Sequence, residues 1–295
     1  GVGSTDSNNY AIDTLRPIAT ITVADTALAV GETSTVTITF SEAVNDFTNA
    51  DLSVSGGTLS TVSSSDGGVT WTATFTPTAN LESTVNLITL NNAGVTDKAG
   101  NAGVGTTDSN NYAVDTLRPM ATIVVADAAL AVGESSAVTI TFSEAVTGLD
   151  IGDFTVANGV LSNLSSSDGG ITWTAILTPT ASVTDTTNVI ALDNTGYVDA
   201  AGNTGNGTTD SNNYAIDTQR PTATIVVNDT ALAVGESSTV AITFSEAVTG
   251  LDIGDFTVAN GVLSNLSSSD GGITWTAILT PTAGITDTTN VITLD

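Results

Sequence analysis

The chain has 295 residues, 31 of them acidic and only 4 basic, with no His, no Cys and a formal net charge of −27. That balance excludes the basic patch needed for nucleic acid or an anionic membrane surface, and it excludes thiolate or imidazole metal sites and disulfide staples. Only oxygen donors remain, and these suit hard cations, calcium above all.

One unit recurs along the chain. Trp71, Trp173 and Trp275 are spaced 102 residues apart, as are Pro17, Pro119 and Pro221. Residues 140–181 and 242–283 are identical. The period predicts a tail strand and linker over 1–15 and repeats over 16–117, 118–219 and 220–295, the last incomplete. The sequence opens and stops in mid-repeat, which reads as an excerpt of a longer array.

Within the first unit, period-2 alternation predicts seven strands, at 19–24, 34–41, 51–55, 58–63, 69–76, 85–90 and 110–114. In the second, Val36, Ile38 and Phe40 share one face and Thr35, Thr37 and Thr39 the other. In the fifth, Val69, Trp71, Ala73 and Phe75 point inward, which makes the tryptophan of each repeat a core anchor. Gly, Asn, Asp and Pro clusters separate the strands, and no segment has helical periodicity. Asp66, Asp168 and Asp270 each precede Gly-Gly and read as hairpin turn formers, and the Asn-x-Ser/Thr sequons at Asn163, Asn228 and Asn265 read as incidental. The fold class is therefore all-β: tandem seven-stranded immunoglobulin-like β-sandwiches arranged end to end. The linker Asp115-Thr116-Leu117-Arg118-Pro119 is short, and its proline limits swing.

In this topology the linker, the loop after the second strand and the loop after the sixth lie at the pole where the chain enters. Candidate metal ligands gather there in each repeat: Asp13, Glu42, Asp51, Asp97 and Asn101; then Asp115, Glu144, Asp153, Asp199 and Asn203; then Asp217, Glu246 and Asp255. Left together without a cation, such carboxylates repel or protonate. A second acidic set, Asp25, Asp127 and Asp229, belongs to the opposite pole with Glu32 and Glu82, facing the next repeat. For that set, ordinary solvated loop charge fits as well as ligation. Asp108-Ser109-Asn110-Asn111 offers further oxygens where the last strand begins.

The phrases Thr39-Phe40-Ser41-Glu42-Ala43-Val44, Asp97-Lys98-Ala99-Gly100-Asn101 and Asp115-Thr116-Leu117-Arg118-Pro119 resemble the repeats of bacterial immunoglobulin-like domains. More closely, the unit resembles the extender regions of giant repeats-in-toxin adhesins of Gram-negative bacteria, those of ice-binding adhesins among them. The resemblance covers essentially the whole chain. It implies type 1 secretion, a cell-surface location and calcium-dependent rigidity, with neighbouring repeats joined through calcium-bridged linkers. The first repeat departs from its sisters: Asn45-Asp46-Phe47-Thr48-Asn49-Ala50-Asp51 stands where the second has Thr147-Gly148-Leu149-Asp150-Ile151-Gly152-Asp153.

Three functions follow in order of fit. The first is a passive spacer projecting a distal binding module, each repeat adding roughly 35–45 Å if strands run about seven residues. The second is a glycan- or surface-binding module, which calls for exposed aromatics. The third is a self-associating filament or matrix subunit, in which the first residues add a strand to the incomplete third sandwich; an excerpted sequence accounts for the same offset. Enzymatic chemistry lacks a nucleophile–base arrangement, and neither nucleic acid nor direct membrane insertion is expected.

Overall fold

The computed structural model describes every residue except Val2. In the first repeat the strands are β1 (Ala19–Val23), β2 (Ala27–Leu28), β3 (Ser34–Phe40), β4 (Val44–Asn45), β5 (Leu52–Val54), β6 (Gly57–Leu59) and β7 (Ser63–Ser64). They continue as β8 (Thr70–Pro77), β9 (Glu82–Asn86), β10 (Ile88–Asn91), β11 (Thr96–Asp97), β12 (Thr106–Asp108) and β13 (Tyr112–Asp115). One sheet runs β1-β3-β8-β6 with β7 also on β8; the facing strands run β12-β10-β5 and β2-β13-β9. Counted as the seven expected strands, the first, second, fifth and fourth form one sheet and the third, sixth and seventh the other. That is the immunoglobulin arrangement.

Three of the seven expected strands are broken, the fourth into β6 and β7, both paired with β8. The sixth divides into β9, paired with β13, and β10, paired with β5 and β12. The seventh divides into β12 and β13, and side chains hold the break open. Asn110 accepts from Val23 N–H at 2.8 Å and donates to Val23 C=O at 3.1 Å, while Ser109 Oγ accepts from Ile88 N–H at 3.0 Å. Asn111 accepts from Asn86 N–H at 3.1 Å, and Asp108 accepts from the Thr89 hydroxyl. The oxygens expected to add ligands here pin neighbouring strands together.

Alternation places the core as the sequence indicates. Val36, Ile38, Phe75, Ile88, Leu90 and Tyr112 are fully buried between the sheets, and the intervening threonines face outward. Trp71 is only half-buried: it packs edge-on against Phe47 at 5.2 Å, and its indole N–H donates to Gly68 C=O at 3.1 Å. It is a margin anchor more than a central one. Gly68 has φ +101°, and a Cβ there would stand 2.6 Å from Val44 C=O, so the Gly-Gly hairpin admits no side chain at its second position.

The second repeat repeats the plan, with a four-stranded sheet of Ala121–Val125, Ser136–Phe142, Thr172–Pro179 and Gly159–Ser166. The sequon residue Asn163 takes φ 56° at a bulge in the last of these, a backbone role. The third repeat keeps the four-stranded sheet, but its second sheet is reduced to Phe256–Val258 paired with Ile292–Leu294. By contact density the described residues form two units. One comprises 1–130, 134–180 and 185–216, essentially the first two repeats; the other comprises 217–295 with 131–133 and 181–184.

Candidate metal centre

Two acidic groups assemble among the described residues. Asp13, Glu42 and Asp97 form one; Asp115, Glu144 and Asp199 form the other, with one ligand atom from each residue lying within 4.8 Å of those of its partners. Each draws on three segments far apart in sequence: the linker, the end of the second strand of the repeat, and the loop after the sixth.

Local chemistry explains the convergence. At the linker, Ser143 N–H donates to Met120 C=O at 2.9 Å and Ser143 Oγ accepts from Met120 N–H at 3.0 Å. This brings the linker against the residue before Glu144. The loop Asp199-Ala200-Ala201-Gly202-Asn203 is a self-capped turn. Asp199 Oδ1 accepts from Ala201 N–H and Asn203 N–H, both at 2.8 Å, and Gly202 supplies φ +93°. Asn203 Nδ2 donates to Asp199 Oδ2 at 2.9 Å, to Asp115 C=O at 3.0 Å and to Leu117 C=O at 3.3 Å. Its Oδ1 accepts from Val30 N–H of the preceding repeat at 2.7 Å. Asn203, expected as a ligand, thus also staples loop, linker and preceding repeat, its amide oxygen accepting one of these bonds.

The first group is built the same way. Asp97 accepts from Ala99 N–H, Asn101 N–H and Asn101 Nδ2, each at 2.8 Å, and Asn101 also donates to Asp13 C=O at 3.2 Å. These bonds hold the Asp97 carboxyl below its ordinary range. In the first two linkers the arginine spends a guanidinium N–H on the loop backbone: Arg16 on Ala102 C=O, Arg118 on Thr204 C=O.

Electrostatic strain concentrates on the glutamates. Desolvation first, then the charges of Asp199, Asp115 and Glu82, push the Glu144 carboxyl above its ordinary pKa. Desolvation, Asp97 and Asp13 do the same to Glu42. Glu144 Oε1 is buried and has no hydrogen-bond partner. A buried carboxylate oxygen without a donor is costly, so this atom marks an unmet demand for positive charge. Glu82 also stands directly across from Asp115 in the ladder, a like-charge pair.

The remaining expected ligands lie elsewhere. Asp51, Asp153 and Asp255 are the third residues of capping boxes on short 3₁₀ turns, accepting from Thr48, Asp150 and Asp252 N–H at 2.9, 2.8 and 2.8 Å. Short caps of this kind satisfy a carboxylate inside its own loop. Asp25, Asp127 and Asp229 accept from the N–H two residues on, at 3.1, 3.0 and 3.0 Å, in tight Asx turns. None of these six belongs to either acidic group. Asp217 accepts from the Thr184 hydroxyl at 2.9 Å. Among the described residues, Asp217 and Glu246 belong to neither acidic group. What sequence reasoning missed was the Val30–Asn203 bond, since a backbone donor leaves no mark in sequence.

The protein is thus a series of immunoglobulin-like sandwiches, the first two of which collect carboxylates where the repeat begins. The sequence matches the family described as bacterial Ig-like domain over residues 13–114, 115–216 and 217–295, and the chain belongs to that family. No curated protein matches it. Among solved structures, it is similar to the Escherichia coli adhesin FdeC, with 15% identity, TM-score 0.34, and coverage of 90% of this chain and 88% of that one. It is similar to the I9–I11 tandem of titin, with 10% identity, TM-score 0.34 and coverage of 90% and 91%. A third likeness is the Yersinia pseudotuberculosis adhesin InvE, with 16% identity, TM-score 0.26 and coverage of 87% and 73%. At these scores the likenesses say nothing of function.

Proposed function

We propose that the chain is a calcium-stiffened spacer of a bacterial cell-surface adhesin, with no catalytic role, whose repeats hold a binding module away from the cell. Asp115, Glu144 and Asp199 hold one ion where the second repeat begins, and Asp13, Glu42 and Asp97 hold another where the first begins. The observation that carries this reading is the partnerless buried Glu144 Oε1 among acidic neighbours. The donor set fits: calcium takes oxygen ligands at flexible geometry, and each capped aspartate still has acceptor capacity beyond its hydrogen bonds. Calcium supplies the positive charge that turns mutual repulsion into a tie among linker, loop and strand. The resemblance to repeats-in-toxin extenders supports secretion to the cell surface and a role set by length and stiffness. Near-identical repeats suit a spacer, which needs no unique site.

The sequence offers a direct test. Arg16, Arg118 and Arg220 are each followed by proline, which blocks trypsin, leaving Lys98–Ala99 as the one ordinary tryptic bond. It lies inside the Asp97–Asn101 turn. Calcium is expected to slow cleavage there, raise the melting temperature in calorimetry and reduce bending in small-angle scattering. Equal cleavage, melting and bending with calcium and with EDTA would sink the proposal.

A further inference from the structure

The strands of the first sheet carry no charged residue in any repeat, although the chain holds 31 acidic residues. In the second repeat the facing strands carry Asp185, Asp193, Asp210 and Asp217. One side of that sandwich is neutral and the other acidic. Across the neutral sheet an apolar stripe crosses all four strands. Val124 lies opposite Thr139, two residues from Ala137, and Ala137 lies opposite Ile176. Ile176 lies opposite Ser162, two residues from Val160. Each member is thus the direct or diagonal neighbour of the next, within side-chain reach. Val124, Val160 and Ile176 are 53%, 62% and 39% exposed, and Ala137 is exposed with them.

The first repeat holds Thr22, Thr35, Thr74 and Thr58 at these four positions. The inward residues beside them are kept: Ile21, Val36, Ala73 and Leu59 correspond to Ile123, Val138, Ala175 and Leu161. The change from threonine to apolar side chains is therefore confined to the outer face. The third repeat shares it at Val226, Ile278 and Val262, with Thr239 at the fourth position. Strand propensity does not account for the change, since Thr, Val and Ile all favour strands and Ala is depleted in them. Packing within the repeat does not account for it either, because these side chains of the second repeat stand in solvent.

We propose that the stripe is a docking face for a second copy of this chain, neutral sheet laid on neutral sheet. Charge selects both the face and the occupant. Two chains of net charge −27 repel, and at this sheet they meet without setting carboxylate against carboxylate. The acidic sheets then lie on the outside of the pair. The same patch meets itself, so the contact is isologous and closes. Four strands of seven residues present about 19 by 24 Å, so a face-to-face pair removes roughly 900 Å² from water. That lies below the roughly 1,200 Å² of a standard interface and defines a weak, concentration-dependent contact. The copy of the stripe on the third repeat gives each chain a second such contact, which raises avidity. The proposal is independent of the calcium reading.

Sedimentation velocity of the full chain, from nanomolar to high micromolar concentration in both EDTA and calcium, tests it. Mass should grow with concentration in both buffers, and more strongly as added salt screens the mutual repulsion. The variant Val124→Thr/Ala137→Thr/Val160→Thr/Ile176→Thr gives the second repeat the residues that the first already accommodates, so it should fold. It should move the midpoint of association to a higher concentration, and adding Val226→Thr/Val262→Thr/Ile278→Thr should leave a monomer throughout. The reverse exchange, Thr22→Val/Thr35→Ala/Thr58→Val/Thr74→Ile, adds a stripe to the first repeat and should lower the midpoint. A wild-type chain that stays monomeric at every concentration overturns the proposal. So does growth that the threonine variants leave unchanged. Growth that needs calcium, or that weakens with salt, would assign assembly to the carboxylates and also overturn it.

Discussion

Two sets of carboxylates in this molecule are opposites. Asp168, in the hairpin, accepts from Thr172 N–H at 2.9 Å and from the Ser166 hydroxyl at 2.9 Å, and its carboxyl is pulled down to about 2. Glu144, where the second repeat begins, is raised by desolvation and three acidic neighbours, and one oxygen has no partner at all. Both sit in loops of the same repeat. The difference teaches that acidic composition does not locate a cation site; an unmet demand for positive charge does.

The contrast breaks most visibly at Asp199. At free calcium a hundredfold above the dissociation constant, a bound ion stabilises by about 2.7 kcal/mol. Asp199→Ala is expected to remove that increment for its junction and to loosen the turn it caps even in EDTA. Calorimetry with and without calcium reads both effects. A calcium increment that survives the substitution would show that Asp199 only caps its turn, as Asp168 does.

Glu144→Gln sharpens the contrast by reversing sign with metal. In EDTA the folded protein binds more protons than the unfolded chain between the ordinary value of 4.5 and the raised one. The contribution of Glu144 to stability is therefore fully present below pH 4.5 and is lost as pH rises through the raised value. The neutral amide removes that loss and should raise the melting temperature by a few degrees at pH 7 in EDTA. In calcium the same variant should melt lower than wild type. A variant less stable in both buffers would mean that Glu144 is held by contacts other than charge.

Much of this was legible in sequence, for identifiable reasons. The 102-residue period and the alternation of Val36, Ile38 and Phe40 with threonines define strands, faces and sheet partners, because pleat geometry is strictly two-residue. The convergence of Asp115, Glu144 and Asp199 followed from topology alone. What sequence could not separate was Asp153 from Asp199. Both are loop aspartates near the same pole, but one closes a capping box and the other lies in the acidic group. That distinction depends on which backbone N–H each oxygen meets, and local turn geometry decides it. The division of 85–90 into two strands was hidden likewise, since it depends on Asn86 turning inward to the Tyr112 carbonyl.

The hairpin side of the contrast makes the converse prediction. The Asp168 carboxyl lies at about 2 against an ordinary 3.8, so its contribution is fully present above 3.8 and disappears as pH falls through about 2. Asp168→Ala should lower melting by a few degrees at neutral pH, equally in calcium and EDTA, and should lose that difference near pH 2. A calcium-dependent loss would place this aspartate in the wrong set.

The smallest expected effect is at Glu82, and it bears on whether the two joints are alike. Glu82 faces Asp115 across the ladder and adds to the charge on Glu144, whereas its counterpart Thr184 donates a hydroxyl to Asp217 at 2.9 Å. Glu82→Thr imports the second repeat's solution into the first. In EDTA it replaces a like-charge pair by a hydrogen bond, and cross-strand pairs of this kind contribute roughly 0.2–1 kcal/mol. Melting should rise slightly. In calcium the lost carboxylate should weaken metal affinity slightly, read as a shift of the calorimetric titration midpoint to higher calcium. If both changes are absent, Glu82 is a bystander and three carboxylates set the joint. If melting rises in EDTA and the midpoint also shifts, the preceding repeat contributes to the affinity of the ion that ties it to the next.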